Sequence, residues 1–207
     1  MTTDQIEIIK NYEAAAPVLI EKFNALSSSE LYAHLLDLFA DQAGRDLLDI
    51  GAGTGRDAAW FSDMGYNVTA VEPVDAFRES GMARYQNKDI VWIDDRLPSL
   101  AKMRERGLKY DIVTICAVWQ HLSEVDRKIA MRQLSSLVRP GGAVIMSLRH
   151  GDGAPDRPCF PVDIEDTVTS AVRNGFELVV TEDRDSVQPT NQARGITWTW
   201  LVLQKKR

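Results

Sequence analysis

The sequence of 207 residues contains only two cysteines. Cys116 sits in an apolar run and Cys159 lies among prolines, which is neither a disulfide framework nor a zinc-ligand spacing. A reducing cytoplasm is therefore the expected compartment, and no metal site is expected. Positive charge is also scarce, with a formal net charge of -6 and a pI near 5.1. Binding to a phosphate backbone draws on a Lys/Arg-rich face, so DNA is not an expected partner. The densest basic stretch, Lys102, Arg104, Arg106 and Lys109, is interrupted by acidic and neutral neighbours, as a solvated helix face would be. Long apolar runs are missing too: the best candidate, Ile112 to Val118, is too short to cross a bilayer as a helix. Met1 to Lys10 mixes Asp4, Glu7 and Lys10 with isoleucines and lacks the basic start and apolar run of a signal peptide. Neither a membrane nor an export route is expected.

There is no internal repeat, low-complexity tract or long linker, so the chain reads as one domain. Residues 1–43 form a helical cap on a core of residues 44–207. In the cap, Val18, Leu19, Phe23 and Leu26 recur at helical spacing, and Leu31, Leu35, Leu36 and Phe39 do so again, to about Asp41. Ser27 to Ser29 supply a break and an N-cap between two helices, and Gly44 ends the second. These helices are expected to pack over the open edge of the core.

From Asp46 onward, short apolar strands alternate with helical segments. Strands are predicted at Asp46 to Ile50, Asn67 to Glu72, Ile90 to Ile93, Ile112 to Val118 and Ala143 to Leu148. Such alternation means an α/β fold with a mostly parallel sheet. Arg139-Pro140-Gly141-Gly142 reads as the turn that closes a helix from Val125 to Val138. After a loop from His150 to Pro161, a helix from about Ile164 to Asn174 precedes strands at Glu177 to Val180 and Ile196 to Leu203, which can pair as a hairpin.

The most informative stretch is Leu47-Leu48-Asp49-Ile50-Gly51-Ala52-Gly53-Thr54-Gly55-Arg56-Asp57, where a buried strand turns sharply into a helix from Arg56 to Met64. Glycines there let a ligand approach the backbone. The spacing is G-x-G-x-G, not the G-x-G-x-x-G that seats a pyrophosphate. Asp49, just ahead of the first glycine, would repel a pyrophosphate but can anchor an ammonium. Glu72, about twenty residues past the first glycine and followed by Pro73, can accept both hydroxyls of a ribose. Asp94 and Asp95 end the third strand, where one of them, Asp94 by preference, can accept from an adenine amine.

Together these residues resemble class I S-adenosylmethionine-dependent methyltransferases of the small-molecule type. The resemblance covers roughly Asp46 to Leu148, with Tyr110 to Leu122 similar to the family's fourth strand and the turn after it. It implies a Rossmann-like sheet of seven strands in the order 3-2-1-4-5-7-6, the last antiparallel, with the N-terminal helices over the cofactor side. It implies S-adenosylmethionine as cofactor and S-adenosylhomocysteine as product, held by Asp49, Gly51, Ala52, Gly53, Gly55, Glu72, Pro73, Asp94, Asp95, Cys116 and Ala117. The turn after the fourth strand would lie near the acceptor, a small molecule.

Candidates for acceptor contact are Tyr12 on the N-terminal helix, Trp119 as an aromatic wall, and Arg149, which could hold a carboxylate. His121 and His150 are the candidates for a general base, although no side chain is singled out as catalytic. The chain has Cys116-Ala117-Val118-Trp119 where relatives that methylate amide or base nitrogens carry an Asn-Pro-Pro-Tyr type of signature. Methylation of RNA or protein is the second substrate class, and a binding protein without turnover is the non-enzymatic alternative. An NAD-linked oxidoreductase would place the third glycine one residue later. A monomer or a homodimer is expected.

Overall fold

The computed structural model describes residues 3–40 and 44–207. Among them, β1 (Asp46–Ile50), β2 (Asn67–Val71), β3 (Ile90–Ile93), β4 (Tyr110–Ile115), β5 (Val138–His150), β6 (Phe176–Asp185) and β7 (Thr197–Lys205) form one sheet. Its order is β3-β2-β1-β4-β5-β7-β6. The first five strands run parallel, and β7 lies antiparallel between β5 and β6. The helices are α1 (Thr3–Asn24), α2 (Ser28–Leu31), α3 (Leu36–Ala40), α4 (Arg56–Asp63), α5 (Asp75–Arg84), α6 (Ala101–Glu105), α7 (Glu124–Leu137), α8 (Ile164–Arg173) and α9 (Pro189–Gln192). This is the Rossmann-like arrangement that the sequence implied.

The period of two along each strand builds two cores. Leu48, Ile50, Val113, Ile115, Val144 and Met146 bury against side chains of α6, α7 and α8 on one face. Leu47, Ile112, Ala143, Ile145, Trp200 and Val202 face the other way, onto Tyr32, Phe39, Ala58 and Phe61. A third, smaller cluster joins Ala16 and Leu19 of α1 to Val74 and Phe77 beside the end of β2. Instead of lying along a sheet edge, α1 crosses the carboxyl ends of the strands.

Several predicted boundaries move. The second N-terminal helix is broken into α2, a 3-10 turn at Ala33–Leu35 and α3, and its expected end at Asp41 falls outside the described residues. Ser27 still caps α2, accepting from the amide of Glu30 at 3.3 Å. β4 stops at Ile115, not Val118, because Ala117 adopts a left-handed φ of 58° that ends the extended run. Arg139-Pro140-Gly141-Gly142 does not separate helix from strand but lies within β5. Tyr110 pairs with Val138 and Ile112 with Ala143, so the four residues bulge out opposite Asp111. The bulge places Arg139 against Asp46 and Asp111, both at 2.7 Å, at the end of the sheet away from the glycine turn. β6 and β7 are antiparallel as expected, with α9 in the connection between them.

Candidate active site

The strand order reverses between β1 and β4, and ligands of open α/β sheets bind in the crevice at such a point. Here a cavity of 1040 Å³ opens at the carboxyl ends of the strands. That is at the upper end of the usual range for a ligand pocket.

The first half is built on the turn after β1. Backbone amides of Gly51 and Ala52 donate to the Val71 carbonyl at 2.8 and 3.0 Å, tying the turn to β2. Gly51 has φ 75°, and a Cβ there would come within 2.3 Å of the Val118 side chain. Glycine is therefore required both by the backbone and by the neighbour across the crevice. Glu72 reaches over from the end of β2: Oε2 accepts from the Gly53 amide at 2.7 Å and Oε1 from the Val74 amide at 2.8 Å. Burial nonetheless pushes its carboxyl up to about 7, against the pull of these two amides.

Asp49 is buried at the floor of the cavity. Its Oδ1 accepts from the Thr114 hydroxyl at 2.8 Å, while Oδ2 has no hydrogen-bond partner among the described residues. Burial, reinforced by the nearby charge of Asp57, holds this carboxyl well above the usual carboxylate range. An orphaned buried carboxylate oxygen is costly unless a ligand donor meets it. Three further buried orphan atoms belong to residues that line the same cavity: His34 Nε2, Gln120 Oε1 and Arg149 Nε.

α1 closes the cavity from above. The Tyr12 hydroxyl lies 3.0 Å from His121 Nε2, and His121 Nδ1 lies 3.3 Å from the Pro158 carbonyl. A carbonyl can only accept, so Nδ1 carries the proton and Nε2 accepts from Tyr12. Burial lowers His121 to about 4, which keeps the ring neutral near pH 7. The Arg157 guanidinium lies 5.2 Å from the centre of the Tyr12 ring. Near the other end of the helix, the Thr54 hydroxyl donates to Asn24 at 2.8 Å and Arg56 to the Phe23 carbonyl at 3.2 Å. The lid is thus tied to the glycine turn itself.

Asp49, Gly51, Ala52, Gly53, Glu72, Pro73, Asp95, Cys116 and Ala117 line the cavity, together with Tyr12, His121 and Arg149. Four candidates do not. Gly55 packs beneath Trp92, which a Cβ would meet at 2.5 Å. Asp94 is exposed and paired with Lys102 at 2.6 Å, whereas its neighbour Asp95 points inward. The Asp95 carboxylate accepts from the amides of Arg96 at 2.8 Å and Met103 at 2.9 Å. Trp119 is buried in the core and forms no wall of the cavity, because the turn after β4 rotates it under the sheet. His150 lies off the cavity, with Nε2 2.8 Å from the Thr199 hydroxyl.

The aromatic wall comes from Trp198 and Trp200 of β7. Their alternation was visible in the sequence, but their place beside Arg149 depends on β7 inserting next to β5, where Trp198 pairs with Arg149. His34, Arg184 and Arg194 also line this second half and carry no local signal of doing so.

The chain matches the family model described as a methyltransferase domain over residues 24–203. It is 27% identical to the glycine N-methyltransferase of Rattus norvegicus, the match covering 65% of this chain and 50% of that protein. It is 23% identical to a ubiquinone biosynthesis O-methyltransferase of Rickettsia bellii, covering 62% of this chain and 52% of that one. The chain therefore spans about half the length of these curated relatives. A solved structure of magnesium protoporphyrin IX methyltransferase from Synechocystis PCC 6803, with S-adenosylmethionine bound, superposes with a TM-score of 0.77. That likeness covers 100% of this chain and 99% of the other at 15% identity, and speaks for the fold alone. With the glycine turn, Glu72 and the turn after β4 all inside the matched residues, the chain belongs to the methyltransferase domain family.

Proposed function

We propose that the chain is an S-adenosylmethionine-dependent methyltransferase acting on a small molecule in the cytoplasm. The observation that carries the reading is Asp49 Oδ2, a buried carboxylate oxygen without a partner among the described residues, beside a turn in which Gly53 leaves the backbone open. That acceptor fits an amino-acid-like ammonium and is a poor seat for a pyrophosphate. Asp49 would hold the ammonium, Glu72 the ribose hydroxyls, and Asp95 in place of Asp94 would bound the adenine side. When bound, S-adenosylmethionine supplies a methyl group already activated on a sulfonium. What the chain must add is alignment of the acceptor and exclusion of water. Tyr12 and His121 serve the second task by latching α1 across the cavity, and a neutral His121 with a lowered pKa suits this role better than that of a general base. The formal net charge of -6 and the closure of the cavity by α1 favour a small acceptor over RNA.

Glu72→Ala is expected to weaken S-adenosylhomocysteine binding by roughly 1–3 kcal/mol through lost hydrogen bonds to charge. Equal affinity in a folded variant would remove Glu72 from the site. Turnover is tested by incubating the protein with methyl-labelled S-adenosylmethionine and fractionated small metabolites. Formation of S-adenosylhomocysteine with label in a metabolite supports the reading. Cofactor retained without turnover on any fraction would make the chain a binding protein.

A further inference from the structure

We propose that the acceptor carries a carboxylate, bound between Arg149 and Arg194 in the half of the cavity walled by Trp198. This inference rests on the methyltransferase reading and names the substrate class of the same site. Arg149 ends β5, and Arg194 lies in the connection from β6 to β7. Both line the cavity, and both direct Nη2 at one main-chain oxygen, the Asp152 carbonyl, at 2.9 and 3.2 Å. Arg194 also donates to the Gly153 carbonyl at 2.9 Å.

What sets the pair apart is its missing counter-charge. Arg56, Arg157 and Arg184 line the same cavity, and each holds a carboxylate, of Asp57, Asp156 and Glu182. Arg149 and Arg194 form no ion pair among the described residues, and the exposed carboxylate of Asp152 bonds neither. Two guanidinium groups converging on a single carbonyl, Arg149 half-buried and Arg194 exposed, repel each other. Burial and the charge of Arg194 hold the Arg149 guanidinium below its ordinary range. Arg149 Nε, moreover, is buried and has no hydrogen-bond partner among the described residues.

An acceptor carboxylate answers each of these features. It is planar, offers two oxygens to the Nε and Nη edge of a guanidinium, and neutralises the facing charges. The Arg149 guanidinium already lies 5.5 Å from the centre of the Trp198 ring, so its edge is held in a fixed orientation. Trp198 and Trp200 leave an apolar wall for the body of the same molecule.

The test uses protein saturated with S-adenosylhomocysteine and titrated calorimetrically with benzoate, phenylacetate and indole-3-acetate, each against its neutral amide. At least one acid is expected to bind roughly tenfold or more tighter than its amide, the effect of a hydrogen-bonded charge. Arg149→Met and Arg194→Met should each abolish that preference while S-adenosylhomocysteine affinity stays unchanged. Acids no tighter than amides, no acid binding at millimolar concentration, or variants that keep the preference would each overturn the proposal. Failure of S-adenosylhomocysteine to bind would instead sink the methyltransferase reading, and the acid and amide comparison on ligand-free protein would still decide the arginine pair.

Discussion

Asp49→Asn is expected to weaken S-adenosylhomocysteine binding by roughly 2–5 kcal/mol, as when one partner of a buried charge pair is removed. The same change should stabilise the ligand-free protein above neutral pH. Without ligand, ionised Asp49 is a buried charge with one oxygen unpartnered among the described residues, close to Asp57. Asparagine keeps an oxygen that can accept from Thr114 and removes the charge, which relieves on the order of 1–3 kcal/mol. Opposite signs for binding and stability mark a residue retained for its ligand and not for the fold. Calorimetry and thermal melts of both proteins read the two effects. A variant that binds normally would show that the carboxylate does not face the ammonium.

A second large effect is expected from pH. S-adenosylhomocysteine affinity should rise as pH climbs towards about 7, by roughly tenfold per unit for each of the two groups that must ionise, with uptake of ligand releasing protons. Burial raises both Asp49 and Glu72, the latter from 4.5 to about 7, so part of the empty protein is protonated at these groups near neutrality. An ammonium favours ionised Asp49, and ribose hydroxyls favour an ionised, accepting Glu72. Stability of the empty protein should move the other way. Because the folded value of Glu72 lies above 4.5, the folded state holds a proton that the unfolded chain has lost between 4.5 and about 7. Its stabilising share is complete below that window and falls as pH climbs through it. Titrations in buffers of different ionisation enthalpy count the released protons. An affinity that is flat between about pH 5 and 8 would contradict the linkage.

Features encoded by neighbouring residues were legible in the sequence. The strand from Asp46 to Ile50, the glycine turn and the helix that follows are set by a contiguous apolar run and local backbone demands, and β3 falls at Ile90–Ile93 as read. Features set by distant pairing were not. The bulge at Arg139 to Gly142 reads as a turn in isolation, and only Asp46 and Asp111 on other strands explain why it stays within β5. The sequence favours Asp94 over Asp95, and the turn into α6 instead aims Asp95 inward and leaves Asp94 paired with Lys102. Trp119 and Trp198 trade places for the same reason. One is rotated into the core by the left-handed Ala117, and the other is carried to the cavity by a strand that joins the sheet last in the chain. Arg194 gives no signal locally, because its meaning comes from Arg149, forty-five positions earlier.

One measurement bears on all of this: calorimetric titration of the protein, stripped of any co-purified ligand, with S-adenosylhomocysteine and, in parallel, with NAD. The predicted result is saturable binding of S-adenosylhomocysteine and none of NAD. Selective binding of NAD, or binding of neither, would contradict the assignment of Asp49, the glycine turn and Glu72 to a methyl-donor site.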